Sequence, residues 1–255
     1  MTKTKISLRN IHKCFGENEV LRGITLDIDA QSSQVIIGGS GSGKSVLLKC
    51  ILGHLKPEKG EIIVDGVDIL KLSARERTRF NAKIGMLFQG GALFDSMDVW
   101  HNVAFRLLEV QKLKANNARQ QAITTLEQVG LDESHCNLRM DALSGGMKKR
   151  VALARAIISQ PEIIFFDEPT TGLDPINAAM INMLINEQVR ALGATAITIT
   201  HDIDSVMAVA DQVACIHEGR IIWNGTKDKL HDSGNSYVDD FIHGRYKAGE
   251  SRNDS

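Results

Sequence analysis

The sequence predicts an α/β protein: a mostly parallel sheet covered by helices, with an antiparallel β segment before it and a helical insert within it. Three observations predict this. The first third alternates apolar and polar residues at the period of half-buried strands. Residues 91 to 158 read as helical. The chain after them runs strand, helix, strand.

In chain order, Ile6 and Leu8 alternate with polar residues, as do Ile24, Leu26 and Ile28. Val35-Ile36-Ile37 is a short strand of the fully buried kind, ending in a glycine-rich loop. Leu47, Leu48, Ile51, Leu52 and Leu55 then share one helical face. Between Glu61 and Ile69, Asp65-Gly66 separates two apolar stretches, which is a hairpin turn signal. In the insert, Ala118, Ala122, Leu126 and Val129 recur at helical spacing. Ile163 to Phe166 and Thr195 to Thr200 read as strands flanking a helix from Ala178 to Leu192. Asp174-Pro175 supplies an N-cap and a proline in the first turn.

Composition narrows the function classes. The chain has 255 residues, 43% apolar and 24% charged, with a formal net charge of −1. No bulk positive field draws it to nucleic acid. Cys14, Cys50, Cys136 and Cys215 are scattered, with no CxxC, a pattern expected of isolated thiols in a reducing compartment. No apolar run approaches the ~20 residues that span a bilayer. Met1 to Lys5 leads into a strand pattern rather than a signal peptide. A cytoplasmic location is therefore expected, with any membrane role supplied by a partner.

Gly38-Gly39-Ser40-Gly41-Ser42-Gly43-Lys44-Ser45 matches GxxxxGK[ST], with a strand before it and a helix after it. Glycines let successive backbone N–H groups converge on an anion at the positive end of a helix. Lys44 reaches phosphates, and the Ser45 hydroxyl suits Mg²⁺. Ile163 to Phe166 ends in Asp167-Glu168, where Asp167 would hold the metal and Glu168 would polarise an attacking water. Alone, such acids are as readily a solvated strand end; beside the phosphate loop they read as catalytic. Leu143-Ser144-Gly145-Gly146-Met147 opens a helix. Ser144 there is a simple N-cap or, with Gly145 and Gly146, a second anion receptor. Two such receptors on different lobes suit a two-fold dimer in which each faces the partner's phosphate site.

These motifs, in this order, resemble the ATPase subunits of ABC transporters over residues 5 to 231. The resemblance implies a RecA-like core with an antiparallel β lobe and a helical lobe at about 91–158, leaving 232–255 as a C-terminal extension. It implies ATP and Mg²⁺ as ligands. Gln89 would be the metal- and water-sensing glutamine, His201 the γ-phosphate contact, and Phe15 the ring stacked on adenine. Gly172-Leu173-Asp174 would face the opposite subunit. Two positions depart from the usual pattern: Met147 replaces a glutamine, and Val46 replaces a threonine, leaving only its backbone N–H for phosphate.

The run Phe88-Gln89-Gly90-Gly91-Ala92-Leu93-Phe94-Asp95-Ser96-Met97, with Val99, Asn102 and Val103, is similar to the ATPases of MCE-type lipid transporters, such as the maintenance-of-lipid-asymmetry (Mla) system. That likeness implies a phospholipid substrate, a second copy of the chain, a multi-pass permease, an MCE-domain protein and a small STAS-domain partner. It implies a peripheral position on the cytoplasmic face of the bacterial inner membrane. Leu93, Phe94 and Trp100 are expected to expose an apolar groove for the permease; the alternative is that 90–97 packs a sheet-to-helix junction. Competing readings are another ABC transporter's ATPase, a soluble ATPase of the iron–sulfur assembly kind, and an ATPase on DNA or ribosomes. In the tail, Tyr237 and Phe241 are spaced to share a helical face.

Overall fold

Two sheets organise the chain. The computed structural model describes residues 3–244. Strands β1 (Thr4–Phe15), β2 (Asn18–Asp29), β4 (Lys59–Val64) and β5 (Val67–Asp68) form an antiparallel sheet ordered β2-β1-β4-β5. Asp65 and Gly66 join β4 to β5 with φ of 50° and 81°. Positive φ at both central residues is the turn whose twist matches a hairpin, so Asp-Gly stands there for a physical reason.

The second sheet contains β3 (Ser33–Ile37), β6 (Ile84–Leu87), β7 (Ile163–Asp167), β8 (Thr195–Ile199), β9 (Gln212–His217) and β10 (Arg220–Thr226). Its order is β10-β9-β3-β8-β7-β6, parallel except for β10. The helices are α1 (Lys44–Ile51), α2 (Ala74–Ala82), α3 (Val99–Glu109), α4 (Ala115–Gln128), α5 (Gly145–Ile157), α6 (Pro175–Leu192), α7 (Ile203–Val209) and α8 (Ser236–Ile242). Asp174 caps α6 with Pro175 at its first turn, and Ser144 caps α5.

The parallel sheet separates two cores. Val35 and Ile37 of β3 point into one, with Ile164 and Phe166 of β7, Val213 and Cys215 of β9, and the inner faces of α3 to α6. Ile36, Ile163, Phe165, Ala214 and Ile216 point into the other, against α1 and the antiparallel sheet. Both faces are thus dry, which is why these strands read as unbroken apolar runs.

The expected groove is corrected here. Trp100 is 9% exposed and belongs to the core of the helical insert, its backbone N–H donating to Cys136 O at 3.0 Å. It stands in the first turn of α3, on the buried side of that helix with Val103, Ala104 and Leu107. Leu93 packs against the same core. Phe94 is half-buried, 4.7 Å from the Phe105 ring, with the Arg155 guanidinium 4.8 Å from its centroid. In the tail, Tyr237 and Phe241 do share a face of α8, their rings stacked at 6.4 Å. Residues 245–255 of the expected extension lie outside the described residues.

Candidate active site

In an open parallel sheet, ligands bind beyond the carboxyl ends of the strands. Four adjacent strands deliver the candidate residues to that edge. The phosphate loop follows β3, Thr200 and His201 follow β8, Asp167 ends β7, and Gln89 lies just beyond β6. Register fixes their level: Ile36 pairs with Ile199, Ile199 with Asp167, and Phe166 with Leu87.

Two glycines in the loop are required by geometry. At Gly38, φ is +151° and a Cβ would stand 2.2 Å from Ile216 O. At Gly43, φ is +108° and a Cβ would stand 2.8 Å from the Leu21 side chain, so β2 leans directly on the loop. Lys44 Nζ donates to Gly38 O at 2.7 Å and Gly39 O at 2.9 Å. Burial pushes its pKa down, opposed by the nearby Glu168, Cys215 and Asp167. Among the described residues, Ser42 Oγ is buried without a hydrogen-bond partner and lies 2.9 Å from where a Cβ on Gly38 would stand. Ser40, Gly41 and Ser45 are exposed, while Val46 packs on the core.

Glu168 has φ of +49°, an uncommon conformation for a residue with a Cβ. Its N–H donates to Ile199 O at 2.9 Å. Its carboxylate accepts from the Thr171 hydroxyl at 3.1 Å and lies 2.8 Å from His201 Nδ1. An ionised Glu168 can only accept, so Nδ1 is the donor in that contact. Asp167 makes no ion pair among the described residues; burial and the neighbouring Glu168 push its carboxyl upward.

Gln89 keeps its side chain exposed, but its carbonyl accepts from Lys149 Nζ at 2.6 Å. Ser144 Oγ accepts from Met147 N–H at 3.3 Å, the helix-capping bond. A Cβ on Gly146 would meet Asn177 Oδ1 at 2.8 Å, and one on Gly145 would meet Leu173 at 3.9 Å. The Ser144-Gly145-Gly146 turn thus sits against the Gly172-Leu173-Asp174 loop, not among the groups at the phosphate loop. Asp174 caps α6, and its bonds with Asn177 hold its carboxyl below the usual range. Phe15, at the end of β1, is 49% exposed, with Lys13 Nζ 5.3 Å from its ring centroid.

Two contributors escaped the sequence reading, and a third, Asn102, entered it only as part of the 88–103 run. Lys149 and Thr171 touch the edge described above, and Asn102 secures the chain beyond Gln89. Lys149 carried a signal: it precedes Ala152, Leu153 and Ala156 at the spacing of α5's buried face, where a cation is out of place.

A family model for the ABC transporter matches residues 21–171, more than half of the chain. The chain belongs to the ABC transporter ATP-binding family. It is 40% identical to the intermembrane phospholipid transport system ATP-binding protein MlaF of Haemophilus influenzae over 244 residues, covering 96% of this chain and 92% of that one. It is 38% identical to a probable ribonucleotide transport ATP-binding protein of Mycobacterium leprae, over 94% of this chain and 69% of that one. Among solved structures, cbiO1 of Clostridium perfringens, part of an ABC transporter complex, superposes with a TM-score of 0.82 at 32% identity, covering 90% of this chain and 91% of that one. A dimeric ATP-binding cassette bound to ADP and Pi superposes at 0.78 with 30% identity, covering 87% and 98%. This ABC protein is therefore an ATP-binding transport ATPase, with the mixed parallel and antiparallel fold of its relatives. Among its described residues, no helix is long and apolar enough to cross a membrane.

Proposed function

We propose that this ABC ATPase powers a phospholipid transporter. In this reading two copies close head to tail on ATP and reopen after hydrolysis, moving a multi-pass permease with MCE-domain and STAS-domain partners at the inner face of a bacterial membrane. The observation that carries the hydrolytic part is the convergence of Lys44, Asp167, Glu168 and His201 on three neighbouring strand ends, with Glu168 hydrogen-bonded to His201 at 2.8 Å. Lys44 and the loop N–H groups bind phosphates, Phe15 stacks on the base, and Glu168 orients and polarises water while His201 holds its carboxylate. Ser144, Gly145 and Gly146 complete the partner's site.

The donors present fit Mg²⁺: a serine hydroxyl at Ser45, a carboxylate at Asp167 and an amide oxygen at Gln89 are hard oxygen ligands. Asp167, raised by burial and by the adjacent Glu168, is a carboxylate that a divalent cation would relieve. Bound there with the nucleotide, the ion would neutralise phosphate charge.

Substrate class rests on likeness to the protein named for phospholipid transport; the mycobacterial name favours ribonucleotides as a second reading. For docking, a groove of ≈ 440 Å³ lined by Met86, Phe105, Arg106, Val110 and Arg155 supports a permease contact, and it replaces the Trp100 surface. The test is detergent extraction of membranes, purification on this chain, and mass spectrometry of the bound proteins and lipids. ATP-dependent movement of a labelled phospholipid in proteoliposomes supports the proposal. Movement of labelled ribonucleotide, or recovery with soluble proteins alone, overturns it.

A further inference from the structure

We propose that Lys149 is a positioning residue for hydrolysis, its buried ammonium tying the main chains of Gln89 and Glu168 to the helix that Ser144 opens. Lys149 is 8% exposed and lies on α5. Its Nζ donates to Gln89 O at 2.6 Å and reaches Glu168 O at 3.5 Å. It makes no ion pair among the described residues. Burial pushes its pKa down, opposed by the nearby Glu168 and Asp167, neither of which pairs with it directly; a methionine would fill the same space without that desolvation cost. Packing therefore does not account for the residue, whereas its two carbonyl contacts do.

What those contacts hold is specific. Glu168 sits at φ +49°, a conformation that persists only when its surroundings fix it. The residue is held at its N–H by Ile199 O at 2.9 Å, and the Lys149 ammonium lies 3.5 Å from its C=O, at the outer reach of a hydrogen bond. Releasing one grip lets the peptide turn and swings the carboxylate away from His201. The same ammonium fixes the point where the chain leaves β6 and carries Gln89 outward. One side chain thus sets two candidate catalytic residues relative to each other. It does so from a helix whose first residues face elsewhere, against Leu173 and Asn177. Lys149 acts through Glu168 and Gln89, by way of their carbonyls.

The proposal rests on Glu168 as the water-polarising group, so Glu168→Gln is measured beside Lys149→Met and Lys149→Gln in the full chain. The readouts are steady-state kcat and KM for ATP, affinity for a fluorescent ATP analogue, and Tm. Lys149→Met should lower kcat by about 10- to 100-fold, the scale of a misplaced catalytic group. KM and nucleotide affinity should stay within about threefold, because Lys44 and the loop N–H groups that hold the phosphates are untouched. Its Tm should fall by no more than a few degrees, because the lost carbonyl bonds and the removed desolvation cost of a buried ammonium work against each other. Lys149→Gln should recover part of kcat, because an amide N–H still reaches a carbonyl. Wild-type kcat in the methionine variant overturns the proposal. So does a loss of kcat, nucleotide affinity and Tm together with no recovery in the glutamine variant, which would mark a structural role. Turnover that survives Glu168→Gln would instead remove the assignment of Glu168, whatever the Lys149 variants do.

Discussion

Asn102 offers the sharpest test of how the chain beyond Gln89 is held. It is fully buried, and its side-chain oxygen accepts from Phe94 N–H at 2.7 Å. Its amide group donates to Phe94 O at 3.0 Å, Asp98 O at 3.2 Å and Met97 O at 3.3 Å. Asn102→Ala strands the Phe94 N–H, which costs about 1–3 kcal/mol, and removes bonds worth ~1 kcal/mol each where they are well formed. A total near 3 kcal/mol follows, or a fall in Tm of about 6–12 °C for a chain of this size. Asn102→Asp should do no better, since it keeps an acceptor for Phe94 N–H but sets a charge against three carbonyls. Differential scanning fluorimetry measures the loss, and limited proteolysis between residues 93 and 98 locates it. A Tm within about 2 °C of the wild type would refute the reasoning, because the four bonds would then be doing nothing for stability.

Lys44→Ala removes charge-assisted bonds to a polyphosphate and should weaken ATP binding by about 10- to 100-fold; equal affinity by fluorescence titration would contradict the phosphate-loop role. Glu168→Gln should keep ATP binding while lowering turnover by about 100-fold or more, and its ATP-bound form should persist as a dimer in light scattering; a monomer there speaks against closure on ATP. Cys14, half-exposed, should take a maleimide first, whereas burial pushes the Cys50 and Cys215 thiols up to about 11 and about 12; peptide mapping that finds Cys215 modified early would contradict its burial. Lys5 and then Lys83 hold the Glu162 carboxyl below its ordinary 4.5. A depressed folded-state pKa adds stability above the ordinary value that disappears as pH falls through the folded one. Glu162→Gln should therefore flatten the decline of Tm below about pH 4.5, modestly because the pair is solvent-screened; an unchanged slope would show the pair contributes nothing.

Motifs whose chemistry is local were legible in the sequence, and side chains whose role depends on a distant segment were not. Asp65-Gly66 announced its turn because only certain residues tolerate two successive positive φ values. Gly38 and Gly43 announced theirs because a Cβ would collide with Ile216 or Leu21. Strand order was beyond reach: Val35-Ile36-Ile37 is dry on both faces, so its pattern names no neighbour. Trp100 misled because periodicity gives a helix two sides without saying which is buried. The left-handed turn at Glu168 was hidden because no glycine marks it. The alliance of Glu168 with His201 needed β7 beside β8, which no local pattern encodes.

One further regularity unites the details around Gln89. Cationic side chains from the helical insert and its flanking loop reach main-chain carbonyls between the end of α2 and the start of α3 rather than carboxylates. Arg106 donates to Asn81 O and Ile84 O, Lys149 to Gln89 O and Arg155 to Ala92 O. Arg139 donates to Asp95 O and Ser96 O, and Asn102 takes the next carbonyls. A carboxylate partner would bind more strongly but would fix only a side chain; a carbonyl partner fixes the path of the backbone itself. The stretch from Ile84 to Asp98 is therefore bonded along its length to the helical insert, although β6 belongs to the parallel sheet. If the insert rotates relative to that sheet, the strain must fall where the two attachments meet, between Leu87 at the end of β6 and Gln89. That position adjoins both the groove at Met86 and Phe105 and the Gln89 carbonyl, whose donor Lys149 also reaches Glu168 O. Deforming this joint is thus the mechanically simplest way for an event in the groove to reach Glu168.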